Sequence, residues 1–335
     1  MKEKTITMAH GSGGAAYHEL VEEVIVPAFS NTLLNSLGDS AVCPMEGSQL
    51  AFTTDTFVVQ PRFFPGGDIG RLAVCGTVND LSMSGATPLY LSCGLVLQAG
   101  LPMDELRQVL SSMAVAAQEA AVLIVTGDTK VVEQGCCDGL FINTAGIGLF
   151  KHTPLGVSPM PGDVILVSGL IARHGLAVLA ARQGFDFDPP LISDAAPLHD
   201  LVQVLLKSVP QLSCLRDPTR GGLAATLYEW ANAANSTIII EEAALPLSKQ
   251  TSAACSILGL EPLHIANEGV FTAALPPEQA AAAIKALKSH PLGTHAAIIG
   301  RVEKAREYTP LILHTAAGGE RRVDLPFGEL LPRIC

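Results

Sequence analysis

The run Leu50-Ala51-Phe52-Thr53-Thr54-Asp55-Thr56-Phe57-Val58-Val59-Gln60 is rich in threonine, valine and phenylalanine and stops at Pro61. That composition predicts a strand ending in a loop. The loop, Phe63-Phe64-Pro65-Gly66-Gly67, opens a predicted helix from Asp68 to Ser84 that carries Asp80. Downstream the same alternation returns: a buried strand over Leu89 to Leu97, an amphipathic helix over Asp104 to Ala120 behind Pro102, and a strand over Val122 to Thr126 that delivers Gly127-Asp128-Thr129-Lys130. Phe141 to Phe150 closes this half. Alternating strands and helices predict an α/β (α+β) architecture of packed layers.

Outward from this core the punctuation changes. Before it, the glycine-rich opening His10-Gly11-Ser12-Gly13-Gly14 precedes a helix whose apolar positions Leu20, Val21, Val24 and Ile25 run up to Pro27. After it, Pro154, Pro159, Pro161 and Gly162 crowd a short stretch before a new strand from Val164 to Gly169. The chain therefore divides into residues 1–153, residues 154–325 and a tail, 326–335. The second part alternates again: predicted helices over Arg173 to Gly184, Ala196 to Lys207, Gly221 to Ala234, Leu247 to Leu258 and Pro277 to His290, and strands over Thr237 to Glu241, Ala296 to Val302 and Leu311 to His314. No fixed-period repeat occurs.

With 335 residues, 48% hydrophobic and 16% charged, the chain can bury a large core, and its length suggests two domains. Its 21 basic against 32 acidic residues give a net charge of −11, and basic clusters are as short as Arg321-Arg322, which speaks against nucleic acid as a partner. The absence of an apolar run of about twenty residues speaks against a membrane span. The eight cysteines lack the paired spacing of a zinc site and mostly sit in apolar runs. With no secretory leader at the start, they read as small buried hydrophobes of a cytoplasmic protein.

Neither a Walker A loop nor G-x-G-x-x-G is present, so a nucleotide site must be built otherwise. Four aspartates supply the means: Asp39 in Gly38-Asp39-Ser40, Asp55 within the opening run, Asp80 after Asn79, and Asp128 in Gly127-Asp128-Thr129. Singly each suits a turn or a helix cap. Together they offer the oxygen ligands by which magnesium presents ATP, with Lys130 beside Asp128 to neutralise phosphate. Arg216-Asp217-Pro218-Thr219-Arg220-Gly221-Gly222 brings two arginines to the start of a helix, which suits an anion or an ordinary capped helix start. Asn267-Glu268-Gly269 places a carboxylate at a sharp turn, as a base or as a loop charge. In the tail, Pro326 and Pro332 favour an extended arm that ends on the thiol of Cys335. With no residue after it, Cys335 cannot be a prenylation site.

Taken together, His10 to Gly14, Phe52 to Thr56, Phe63 to Gly76, Asn79-Asp80, Gly127 to Val131, Arg216 to Gly222, Asn267 to Gly269 and the ending Pro332-Arg333-Ile334-Cys335 resemble the HypE family of hydrogenase maturation factors over nearly the whole chain. These carbamoyl dehydratases belong to the superfamily of aminoimidazole ribonucleotide synthetase, selenophosphate synthetase and thiamine monophosphate kinase. The aspartate motifs are shared across that superfamily, whereas the Pro-Arg-Ile-Cys ending is particular to HypE. Two departures stand out. The stretch before Asp39 varies in the family, and the N-terminal glycine-rich segment lacks the reactive cysteine or selenocysteine of selenophosphate synthetases.

The resemblance implies a synthetase-like architecture. N-terminal sheets pair across a homodimer, ATP and Mg2+ bind near that interface, and a C-terminal α/β sandwich domain covers them. ATP would be held by Asp55, Asp80, Asp128, Lys130, Arg216, Arg220 and Gly13, and the metal by Asp39, Asp55, Asp80 and Asp128. A HypF-type carbamoyltransferase would load a carbamoyl group on Cys335, and ATP would drive its dehydration to a thiocyanate, with Lys130 assisting and Glu268 as proton acceptor. An iron-carrying HypC–HypD-type complex would receive the cyanide for the NiFe hydrogenase centre. The α-carboxylate next to the thiol should raise its pKa and Arg333 should oppose that shift. Two alternatives stay open at this level: a small-molecule kinase or synthetase that uses the aspartates alone, and a non-catalytic thiol carrier.

Overall fold

A computed structural model describes residues 9, 14–29, 31, 33, 35, 37–45, 48–306, 310–325, 331 and 334–335. Gly13 and Arg333, to which roles are assigned above, lie outside the described residues. The opening run forms strand β2 (Ser48–Phe57), paired antiparallel with β1 (Ala41–Met45) on one side and with β7 (Leu140–Leu149) on the other. Beyond β7 come β5 (Thr87–Gln98) and β6 (Leu123–Val132), giving the sheet order β1-β2-β7-β5-β6. β5 and β6 are parallel, because the helix α4 (Met103–Glu119) between them carries the chain back to the starting edge.

The loop after β2 makes a small ribbon of β3 (Phe63–Phe64) and β4 (Gly67–Asp68), and the chain then enters α3 (Ile69–Met83). The Asp68 carboxylate starts this helix by accepting from the backbone N–H groups of Gly70 and Arg71, at 2.7 and 3.0 Å. Helix α3 has almost no polar face, and its burial explains why. The first sheet lies on one side, and α4, α6 (His199–Ser208) and β9 (Cys214–Arg216) lie on the others.

The second sheet runs β14 (Glu320–Arg322), β13 (Leu311–His314), β10 (Ser236–Glu241), β12 (Ala297–Lys304), β8 (Val164–Val167), β11 (Thr272–Leu275), β9, with β10 and β13 as its parallel neighbours. Its strands alternate: Ile165, Val167, Ile238 and Ile240 face a core built around Trp230 of α7 (Gly222–Ala233), while Leu166, Ala273 and Leu275 face α6 and α9 (Ala280–Lys288). The remaining helices are α5 (Arg173–Gln183), α8 (Lys249–Leu258) and, near the N-terminus, α1 (Ala15–Leu20), which passes through a π-helical turn, Val21–Ile25, into α2 (Val26–Phe29).

The mixed α/β class is as expected, and most elements fall within a few residues of their predicted bounds. Three differences have physical reasons. The strand expected to end at Thr126 continues to Val132, because Gly127 to Val132 keep pairing with β5, so Asp128 and Lys130 sit in mid-strand rather than in a loop. The helix expected from Ala196 starts at His199, because Asn79 Oδ1 takes the Leu198 N–H. Strand β9 is only three residues long, too short for a periodic signal, yet it puts Arg216 on a rigid edge. Replacing the buried cap, Asp68→Ala, should destabilise the fold by about 1–2 kcal/mol, measured by chemical denaturation. An unchanged midpoint would mean the cap is dispensable.

Candidate active site

Asp55 and Asp80 meet because a strand and a helix touch closely. Asp55 lies near the end of β2, and Asp80 is one turn past Gly76 on the same face of α3. A Cβ at Gly76 would come within 2.9 Å of Phe57 and 3.4 Å of Asp55 Oδ2, so any larger residue would push the helix off the strand. Thr53 Oγ1 lies 2.8 Å from Asp80 Oδ2 and 3.0 Å from the Asp39 carbonyl oxygen. One hydroxyl proton cannot serve both. The Thr53 hydroxyl is therefore shared between the Asp80 carboxyl and the Asp39 carbonyl as alternative acceptors. Burial and the neighbouring Asp217, Asp55 and Asp39 push the Asp80 carboxyl well above the usual carboxylate range.

The second sheet supplies the opposite wall. Arg216 ends β9 and bridges Asp39 (2.9 Å) and Glu229 of α7 (2.6 Å), while His18 Nε2 approaches Glu229 from α1 at 3.3 Å. Burial raises Asp39 against the pull of Arg216; Glu229, despite burial, is held low by His18 and Arg216. Asp217 is buried with one carboxylate oxygen unpartnered, and burial, then Asp39, pushes it up to about 8. Gly221 and Gly222, both at positive φ (76° and 62°), turn the chain into α7, with Arg220 just before them.

Glu268 sits on a loop tied from three directions. Asp194 accepts from the N–H groups of Glu268 (3.3 Å) and Gly269 (3.0 Å). The buried Asn79 side chain donates to the Glu268 carbonyl (3.3 Å), and Asn267 donates to the Pro218 carbonyl (2.9 Å), joining this loop to the Arg216–Gly222 turn. The Glu268 side chain is buried, and burial together with Asp217, Asp55 and Asp194 raises it well above its usual range, against the pull of Arg220.

These walls enclose a cavity of about 530 Å³ lined by Asp39, Asp55, Asp80, Arg216, Asp217, Arg220, Glu229, Glu268 and Cys335 among others. The terminal thiol therefore reaches the carboxylates from the far end of the chain. Its enclosure pushes Cys335 up to about 12; the cation that works against this is Arg220, a residue far from the tail in sequence. An oxygen of the Cys335 terminus accepts from the Val58 N–H at 3.2 Å.

Of the residues named from sequence, Asp39, Asp55, Asp80, Arg216, Arg220, Glu268 and Cys335 converge here. Asp128 and Lys130 do not. They pair with each other at 2.7 Å, both well exposed, beside a separate shallow hollow between β5, β6 and α4. Thr53, Asp217 and Glu229 were missed. Asp217 stood inside a motif read for its arginines, and Glu229, a lone acid in an apolar helix, was the signal that an arginine needed a partner.

Known proteins resemble this chain over its whole length. Residues 37–150 match the N-terminal domain, and residues 160–312 the C-terminal domain, of AIR synthase related proteins. The carbamoyl dehydratase HypE of Cupriavidus necator is 47% identical over 339 aligned positions, covering 100% of this chain and 96% of the relative. Among solved structures, a HypE in complex with ATP superposes with a TM-score of 0.83 at 46% identity, covering 99% of this chain and 100% of that one. HypE in a HypE–HypF complex gives 0.87 at 44% identity, covering 92% and 99%. With both halves matched by these domains and its whole length aligned at nearly half identity, the chain belongs to the HypE family of carbamoyl dehydratases.

Proposed function

We propose that this protein dehydrates an S-carbamoyl group on its own C-terminal cysteine to a thiocyanate, using ATP, and so supplies the cyanide ligands of a NiFe hydrogenase iron centre. The observation that carries the reading is the meeting of Cys335 with Asp55, Asp80, Asp217, Arg220 and Glu268 in one cavity. A kinase acting on a free substrate would leave that thiol unused. Relatives named carbamoyl dehydratase, a HypE solved with ATP and a HypE solved with HypF support the activity, the nucleotide and the donor respectively. A HypC–HypD-type complex carrying iron is the acceptor in this reading.

The carbamoyl oxygen attacks the γ-phosphorus of ATP and ADP departs, so the oxygen becomes part of a phosphate ester. The nitrogen gives up one proton as the C=N bond forms and a second as the C–O bond breaks, releasing phosphate and leaving S–C≡N. Glu268 is the group placed to receive a nitrogen proton, because enclosure among acids raises its basicity while Arg220 limits the rise. Arg216 and Arg220 supply positive charge where phosphate oxygens would lie.

Asp39, Asp55 and Asp80 are the residues to hold magnesium. The fit is chemical: crowded acids raised in pKa are the environment a divalent cation relieves. Among the described residues no three His, Cys, Asp or Glu side chains form a metal cage by themselves. Magnesium takes one or two carboxylates and completes its shell with phosphate and water; its contribution there would be charge neutralisation on the phosphates.

We further propose a homodimer. Phe52, Ile147, Tyr90 and Leu123 lie opposite one another across β2, β7, β5 and β6, forming an apolar row on the outer face of the first sheet, and all four are 39% to 64% exposed. Such a row calls for a second sheet. A second copy there would bring Asp128 and Lys130 to a subunit boundary rather than leave them in open solvent.

Three outcomes test these readings. Intact mass of carbamoylated protein should show an ATP-dependent loss of one water, absent in Cys335→Ala, which should still bind ATP; no water loss in the parent protein would sink the reading. Glu268→Gln should slow that loss by at least about 100-fold, and an unchanged rate would remove Glu268 as the base. Tyr90→Glu with Leu123→Glu should halve the mass seen by light scattering, whereas a monomeric parent protein would refute the dimer.

A further inference from the structure

We propose that His174 is a positioning residue that clamps the C-terminal arm in register, so that the thiol of Cys335 faces the cavity. The proposal rests on the reading of Cys335 as the reacting thiol. His174 is fully buried in the first turn of α5, with Nδ1 2.9 Å from Ser193 Oγ and Nε2 2.5 Å from the carbonyl oxygen of Ile334. A carbonyl oxygen can only accept, so Nε2 must carry the hydrogen and Nδ1 the lone pair. The Ser193 hydroxyl then donates to Nδ1, while its oxygen accepts from the Ala195 N–H at 3.1 Å. Every donor and acceptor in this line, from Ala195 through Ser193 and His174 to Ile334, has one consistent role. Burial holds the ring down to about 4, so it stays neutral and keeps this tautomer at ordinary pH.

The rest of the seat is apolar and undirected. Ile334 is buried in the core cluster that includes Phe57, Val59 and Phe64, and the Phe64 ring meets His174 edge to face at 5.4 Å. Leu331 rests on Gly175, where a Cβ would stand only 3.1 Å from Leu331 Cδ1 and 2.8 Å from Ile265. Such contacts fix how deep the arm lies but resist sliding weakly. A slip of one residue would carry the Cys335 side chain away from the cavity that it lines. The directional bond to the Ile334 carbonyl prevents that slip.

The same helical turn also holds the base. Gly175 N–H donates to the Ala266 carbonyl at 3.0 Å and Ala172 N–H to Asn267 Oδ1 at 2.7 Å, on the loop that carries Glu268. One rigid turn thus sets the thiol and the proton acceptor relative to each other.

The test is the rate of iodoacetamide alkylation at Cys335, read by mass spectrometry of the C-terminal peptide in the full-length protein, beside kcat and KM for ATP in the dehydration of carbamoylated protein. A docked thiol reacts slowly, and a released one reacts as an ordinary thiol. His174→Phe keeps the ring and its edge contact but leaves the Ile334 carbonyl unpaired, and should raise alkylation by about tenfold. It should lower kcat to a similar degree with KM for ATP unchanged, and His174→Gln, which can still donate, should restore part of both. Ser193→Ala, which removes the group that orients the ring, should move both in the same direction and serves if His174→Phe does not fold. Alkylation unchanged in every folded variant would overturn the clamp. Alkylation needs no ATP chemistry, so a faster rate in the variants alongside a parent protein that never loses water would retain the clamp and reject the dehydratase reading.

Discussion

Asp39, Asp55, Asp80, Asp217 and Glu268 share one cleft with two guanidinium groups, and the placement of everything around it answers to that crowding. Carboxylates so enclosed are raised in pKa because water is withdrawn and like charges adjoin, and Arg216 and Arg220 offset only part of this.

Holding such a site together takes contacts that are insensitive to its charge state. Beside the Arg216 ion pairs and the Asp194 bonds, the neutral amides Asn79 and Asn267 supply such contacts, linking α3, the Arg216–Gly222 turn and the Glu268 loop across the junction of the two sheets. Buried amides with their partners satisfied fix geometry without adding charge to a site already strained by it.

The terminal arm belongs to the same economy of position. A thiol at the end of a chain has little to hold it, and here three kinds of contact do so: apolar burial of Ile334, the Val58 N–H on the terminus, and the His174 bond. All three are non-covalent and modest, as they must be if the thiol is to leave for a donor and return.

Much of this was legible in the residues. The alternation around Leu50 to Ser84 determined the strand and helix that carry Asp55 and Asp80, since periodicity and capping are local, whereas Arg216, Arg220, Glu268 and Cys335 stood out by type alone and drew their roles from the family resemblance. What sequence could not supply was distance between elements. Asp128 looks like Asp55 on paper, yet mid-strand pairing with β5 leaves it outside the cleft. His174 looked like any residue of a predicted helix, and only the packing of Ile334 against α5, about 160 residues later, gave its second nitrogen a partner. Local chemistry determined which groups exist; packing between remote elements decided which of them meet, because proximity across a fold depends on how whole strands and helices stack and not on the residues beside them.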